Sequence, residues 1–108
     1  MTPSSESTGE TVDFGYLERF AAGDRGVVRE VLELFVQQAR IWAPQLEAAP
    51  DGWRDVAHTI KGAARGVGAK VLGDLCEAAE REGETALPAV EEGLALAVAE
   101  ITAYLDRC

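Results

Sequence analysis

From residue 12 onward, apolar residues recur at intervals of three and four, the spacing of one face of an α-helix, and no stretch sustains the alternation of a strand. Phe14, Leu17, Phe20 and Ala21 predict a short helix over Val12–Ala22, opened by Asp13 and stopped by Gly23. Asp24 can cap a second helix, Arg25–Ala48, whose core stripe is Val28, Val31, Leu32, Phe35, Ala39, Trp42 and Leu46. Pro44 falls inside that pattern and should kink or weaken the helix. Pro50, Asp51 and Gly52 read as a turn with a cap. Trp53, Val56, Ala57, Ile60 and Ala64 then predict a third helix over Trp53–Arg65, with Gly66 and Gly68 marking its end. A fourth, Ala69–Glu82, turns Leu72, Leu75, Cys76 and Ala79 inward and stops at Gly83. Pro88 suits the first turn of a fifth helix, which runs to the C-terminus on Val90, Leu94, Ala97, Ile101 and Leu105.

Connections this short favour antiparallel neighbours. The pattern therefore predicts an all-α fold, an antiparallel up-down four-helix bundle with a short additional N-terminal helix. Residues 12–108 form the bundle. Residues 1–11 are polar, rich in Ser, Thr and Glu, and are expected to be a disordered tail.

Composition narrows the function. With 108 residues the chain is one domain, too short for most enzymes that set a cofactor fold beside a substrate fold. A net charge of −9 makes it a poor nucleic-acid binder. It has no run apolar enough to span a membrane. The N-terminal stretch lacks the basic and apolar regions of a secretory signal, so a cytoplasmic location is expected. Cys76 and Cys108 have no metal-type spacing and are expected as free thiols in a reducing compartment. Cys76 lies on an apolar stripe and reads as a small core residue. Trp42 and Trp53 read as core fillers. A single histidine, His58, excludes a two-histidine metal site. The glycines from Gly62 to Gly68 match neither a P-loop nor a dinucleotide fingerprint.

His58 lies off the core face of the third helix, near its middle. Its neighbours at offsets of three and four are Arg54, Asp55, Lys61 and Gly62, with Arg65 one turn on. From Arg54 to Lys70 there are four basic residues and one acidic, a local +3 in a chain of −9. Such a stripe around the only histidine suggests an anionic partner group. On charge alone it is also what a solvated helix face would show. Gly62 adds weight, because glycine inside a helix costs about 1 kcal/mol relative to alanine. Room beside the imidazole for a phosphoryl group or a partner's backbone would justify that cost. So would close helix packing at Gly62.

The stretch from His58 to Ala69, HTIKGAARGVGA, resembles the signature of histidine-containing phosphotransfer domains, H-x-x-K-G-x-[AS]-x-x-[LV]-G-[AL]. Every specified position matches: His58, Lys61, Gly62, Ala64, Val67, Gly68 and Ala69. Likeness extends to "AAGD" and "LELFVQQA" before the motif and to "LGDLCEAAE" after it, covering roughly residues 12–107. The resemblance implies a four-helix bundle bearing one exposed phosphoacceptor histidine. It implies a phosphorelay intermediate that accepts a phosphoryl group from a receiver-domain aspartate of a hybrid histidine kinase and passes it to the aspartate of a response regulator. His58 carries over as the phosphoacceptor through Nε2, Lys61 as the cation that offsets phosphoryl charge, and Gly62 as the clearance residue. Gln38 corresponds to a glutamine that bonds the other imidazole nitrogen, with Gln37 as the neighbouring choice of register. No cofactor or metal is expected on this chain, since Mg²⁺ belongs to the partner receiver domain. The chain would be a phosphoryl carrier, not an ATP-dependent kinase.

Beside the core stripe of the second helix lie Val27, Leu34, Gln38 and Ile41. They read either as a wide core face or as an apolar patch next to His58 for a receiver domain's helix. Arg54, Lys61 and Arg65 would then form a steering rim. A monomer that binds receivers, and neither nucleic acid nor membrane, is the expected state. Two other readings are a phosphoacceptor module fed directly by a kinase core, and a helical adaptor that binds a receiver without phosphotransfer. The start at Met1 without kinase sequence favours a stand-alone carrier over the former. His58, Lys61 and Gly62 together argue against the latter.

Overall fold

The computed structural model describes residues 11–48 and 51–107. Within them the chain forms helices α1 (Phe14–Phe20), α2 (Arg25–Ala48), α3 (Trp53–Gly66), α4 (Lys70–Glu82) and α5 (Leu87–Arg107). A single 3₁₀ turn, Glu84–Ala86, leads into α5. No strand occurs among the described residues. Helix α2 packs against α3 and α5, and α4 packs against the same two, so the four long helices close into a ring. This is the expected bundle.

The predicted stripes fill the interior. Val28, Leu32, Phe35, Ala39, Trp42 and Leu46 are buried from α2, and Trp53, Ala57, Ile60 and Ala64 from α3. Leu72, Cys76 and Ala79 come from α4, and Val90, Leu94, Ala97 and Ile101 from α5. Val31, Val56, Leu75 and Leu105 are half-buried and seal the edges. Trp42 meets Phe35 edge-on, with ring centroids 5.7 Å apart, which makes it core as expected. Burial pushes the Cys76 thiol up to about 12, with the Glu80 carboxylate adding to the effect. Cys76 is therefore a packing group. Cys108, Pro50 and residues 1–10 lie outside the described residues. Helix α2 continues through Pro44 to Ala48.

Two expectations near the N-terminus need correction. Phe20 does not share the buried face of α1; it is 77% exposed, while Phe14 and Leu17 are buried. Six residues at about 100° each put Phe20 roughly 120° around the helix from Phe14. The other correction is Thr11, placed in the tail from sequence. Its N–H and hydroxyl both donate to the Glu100 carboxylate, at 3.0 and 2.9 Å, and the Val12 N–H donates to the same group at 3.0 Å. Phe14 stacks on Tyr104 at 4.2 Å, and the Tyr104 hydroxyl donates to Glu18 at 2.6 Å. Helix α1 is thus fastened across α5.

The turn from α3 to α4 sets the site's geometry. Gly68 has φ +87°, and its carbonyl accepts from the Asp13 N–H at 2.8 Å. A Cβ at Gly68 would come within 2.5 Å of the Asp13 carbonyl oxygen. Only glycine lets the turn close here against the start of α1. The reversal lays α4 antiparallel along α3.

Candidate functional site

Helix α3 points Trp53, Ala57, Ile60 and Ala64 inward, so His58 projects from its outer flank. The His58 side chain is 70% exposed. Its Nδ1 lies 2.9 Å from Oε2 of Glu80, on α4. The other carboxylate oxygen, Oε1, accepts from the Lys61 ammonium at 2.6 Å. One carboxylate therefore holds the histidine and the lysine together. The hydrogen bond from Lys61, and secondarily that from His58, holds Glu80 below the usual carboxylate range against the opposing effect of burial. An ionised Glu80 accepts only. The bonded imidazole nitrogen then carries a proton, so in the neutral ring the lone pair is on Nε2. With Nδ1 turned to α4, Nε2 is the nitrogen left toward solvent.

Glu80 is the residue that the sequence did not single out, and it stands at the imidazole nitrogen that the resemblance gives to Gln38. Gln38 sits elsewhere, in an apolar groove between α2 and α3 that it lines with Leu34, Thr59 and Ala63. It makes no hydrogen bond to the imidazole. A signal for Glu80 was present. His58 and Glu80 are 22 residues apart, centred on Ala69 in the turn, and an antiparallel helix pair brings residues together about such a centre.

The basic rim is also corrected. Arg65 donates to Asp74 at 3.2 Å and to Glu77 at 2.5 Å, both on α4. These bonds raise the Arg65 pKa further and lower that of Glu77, while Asp74 is lowered first by Lys70 and then by Arg65. Lys70 pairs with Asp74 at 3.1 Å. The local positive charge of α3 is thus matched across the helix pair by carboxylates of α4. Arg54 differs: its guanidinium lies 4.7 Å above the Trp53 ring, and no carboxylate pairs with it among the described residues.

Gly62 is exposed, and a Cβ built there would meet nothing within 4 Å. Close packing inside the protein is therefore not what Gly62 serves. Leu34 and Ile41 are each 55% exposed and Val27 42%. They are not a wide core face. With the groove beside Thr59 and Ala63, they leave an apolar surface on α2 along the flank of α3.

The site can thus present one imidazole nitrogen, Nε2, on an open face of the helix whose other flank lines an apolar groove with α2. Among the described residues no helix is long and apolar enough to cross a membrane, and no group of three His, Cys, Asp or Glu side chains is placed to hold a metal ion. The family model of the Hpt domain matches residues 30–107. Among solved structures, the histidine phosphotransferase ShpA from Caulobacter crescentus is 50% identical to this chain. The two share a TM-score of 0.78, covering 90% of this chain and 92% of that one. No curated protein matches the sequence.

Proposed function

The chain belongs to the Hpt domain family, and on that premise we propose that it is a phosphoryl carrier whose acceptor is Nε2 of His58. The observation that carries the reading is the pairing of an exposed imidazole with an ionised carboxylate through Nδ1. In the neutral ring that bond puts the proton on Nδ1 and leaves the lone pair on Nε2 for attack.

The donor is the aspartyl phosphate of a receiver domain of a hybrid histidine kinase, and the final acceptor is the aspartate of a response regulator. The receiver supplies Mg²⁺ and the acidic pocket in which phosphoryl charge is balanced. This chain supplies position. Leu34 and Ile41 on α2 take the receiver's apolar surface, and Gly62 lets its backbone approach the imidazole. Arg54 stands at the edge as an unpaired cation. Because the chain carries the group without activating it, ATP alone does not label it.

The test uses three incubations followed by assay for acid-labile phosphate: ATP alone, a phosphorylated receiver with Mg²⁺, and ATP with a kinase core that lacks a receiver. Label is expected only from the receiver, and His58→Gln is expected to take none. Label from ATP alone, or on the His58→Gln variant, overturns the reading. Label from the kinase core instead makes the chain a directly phosphorylated module.

A further inference from the structure

We infer that Glu80 acts through its charge as well as its geometry, keeping the Nδ1 proton on the His58 ring while the phosphoryl group occupies Nε2. The inference rests on the carrier reading above and concerns the loaded state.

In the unloaded protein the imidazole can be neutral, and any acceptor oxygen could hold Nδ1–H. A carboxylate matters more once the ring is loaded. As the Nε2 lone pair forms the N–P bond, the P–O bond to the donor carboxylate breaks and its electron pair leaves with that carboxylate. The ring still holds its Nδ1 proton and now bears a positive charge. Glu80 faces that charge directly, 2.9 Å from Nδ1. If the proton stays, the reverse step is easy: an acceptor carboxylate attacks phosphorus, the N–P pair returns to Nε2, and neutral imidazole departs. If the proton is lost to water, the departing group is an imidazolate, a far poorer leaving group. The ring then has to be protonated again before transfer.

The surroundings suit this role. Glu80 and Lys61 side chains are 23% and 20% exposed, against 70% for His58. Lys61 is bonded to Oε1, which keeps the carboxylate ionised and leaves Oε2 for the ring. The other charged groups within about a turn on α3 are Arg54 and Asp55. From α4, Glu77 lies one turn before Glu80 and is engaged by Arg65. The α2 residues lining the groove against α3, Val31, Leu34, Phe35, Gln38 and Trp42, carry no charge. Glu80 is therefore the carboxylate placed to retain the proton.

The test loads the full chain with phosphoramidate and follows the Nδ1 resonance of ¹⁵N-labelled protein against pH. The chain has one histidine, so the signal is unambiguous. Wild type is compared with Glu80→Gln, which keeps an acceptor oxygen and removes the charge, and with free Nε2-phosphohistidine, which needs no variant to fold. Wild type is expected to hold the proton to a pH about 0.5 units higher than either, the order an exposed ion pair supplies. Transfer to a receiver should then be about threefold slower in Glu80→Gln on the alkaline side and equal on the acid side. Coincident titration of wild type with both references overturns the inference while leaving the carrier reading intact. A wild-type chain that takes no phosphoryl group on His58 overturns both.

Discussion

Replacing Gly62 with alanine should stabilise the free protein and slow its phosphoryl transfer, two effects that seldom travel together. Gly62 lies inside α3, one turn after His58, and a Cβ there meets nothing within 4 Å. The substitution therefore adds no strain and recovers the helix-propensity cost of glycine, about 0.8–1 kcal/mol. For a domain of this length the unfolding entropy is about 0.2 kcal/mol per degree, so Tm should rise by about 4 °C. The new methyl group projects toward the flank that carries His58, where a docked receiver must bring its aspartate to bonding distance of Nε2. Thermal melts followed by circular dichroism give the first quantity, and single-turnover transfer from a phosphorylated receiver gives the second. Alanine should slow transfer several-fold, and Gly62→Leu by more than tenfold with most of the stability gain retained. A fall in Tm for Gly62→Ala would mean that the backbone needs glycine for the fold. Normal transfer by Gly62→Leu would mean that clearance has no part in docking.

Gly68, in the same motif, should respond in the opposite sense. With φ +87° and a Cβ site 2.5 Å from the Asp13 carbonyl, Gly68→Ala should lose about 1–3 kcal/mol, seen as a lower urea midpoint. Ile41→Glu should weaken receiver binding at least tenfold, measured by titration calorimetry, with little change in Tm, because the side chain is 55% exposed. A Tm loss above about 10 °C with unchanged binding would place Ile41 in the core instead. Acid should loosen the α3–α4 pairing. Glu80, Glu77 and Asp74 are all held below their ordinary values, so their contribution is present above the unfolded values and lost as pH falls through the folded ones. The window lies below the ordinary glutamate value of 4.5. Denaturation midpoints between about pH 5 and about pH 3 should fall more steeply in wild type than in Glu80→Gln.

The bundle was legible in the sequence because its information is local. Helix α2 runs over the residues its periodicity marks, and Asp24 begins it as a cap, accepting from the Val27 N–H at 3.2 Å. The same logic fails at Phe20, since steps of three without a step of four drift off the buried face and α1 is too short to show the drift. His58 was legible for a similar reason: it is the only histidine, it stands off the core stripe, and a motif with fixed offsets surrounds it. Its partner is non-local. Nothing within one turn of His58 indicates which side chain meets Nδ1; the sequence reading places a glutamine of α2 there, and the turn at Gly68 brings an acid of α4 instead.

Charge gives the sharpest case. Read as a window, Arg54 to Lys70 is a positive stripe awaiting an anion. In the fold, Lys61, Arg65 and Lys70 each meet a carboxylate of α4, so most of that field is spent within the protein. A sum over consecutive residues ignores the helix lying alongside, and two antiparallel helices with opposite charge register neutralise one another at close range. Among the described residues of the stripe, Arg54 has no carboxylate partner. On the proposed docking, long-range attraction of an acidic receiver pocket is weaker than the sequence window suggests, and the apolar surface of Leu34 and Ile41 is expected to carry more of the binding. Salt should then affect association with a receiver only modestly, with Arg54→Ala removing most of the dependence. A steep salt dependence that survives Arg54→Ala and disappears in Arg65→Ala would show that the Arg65 ion pairs open on docking and that the stripe does act as a field.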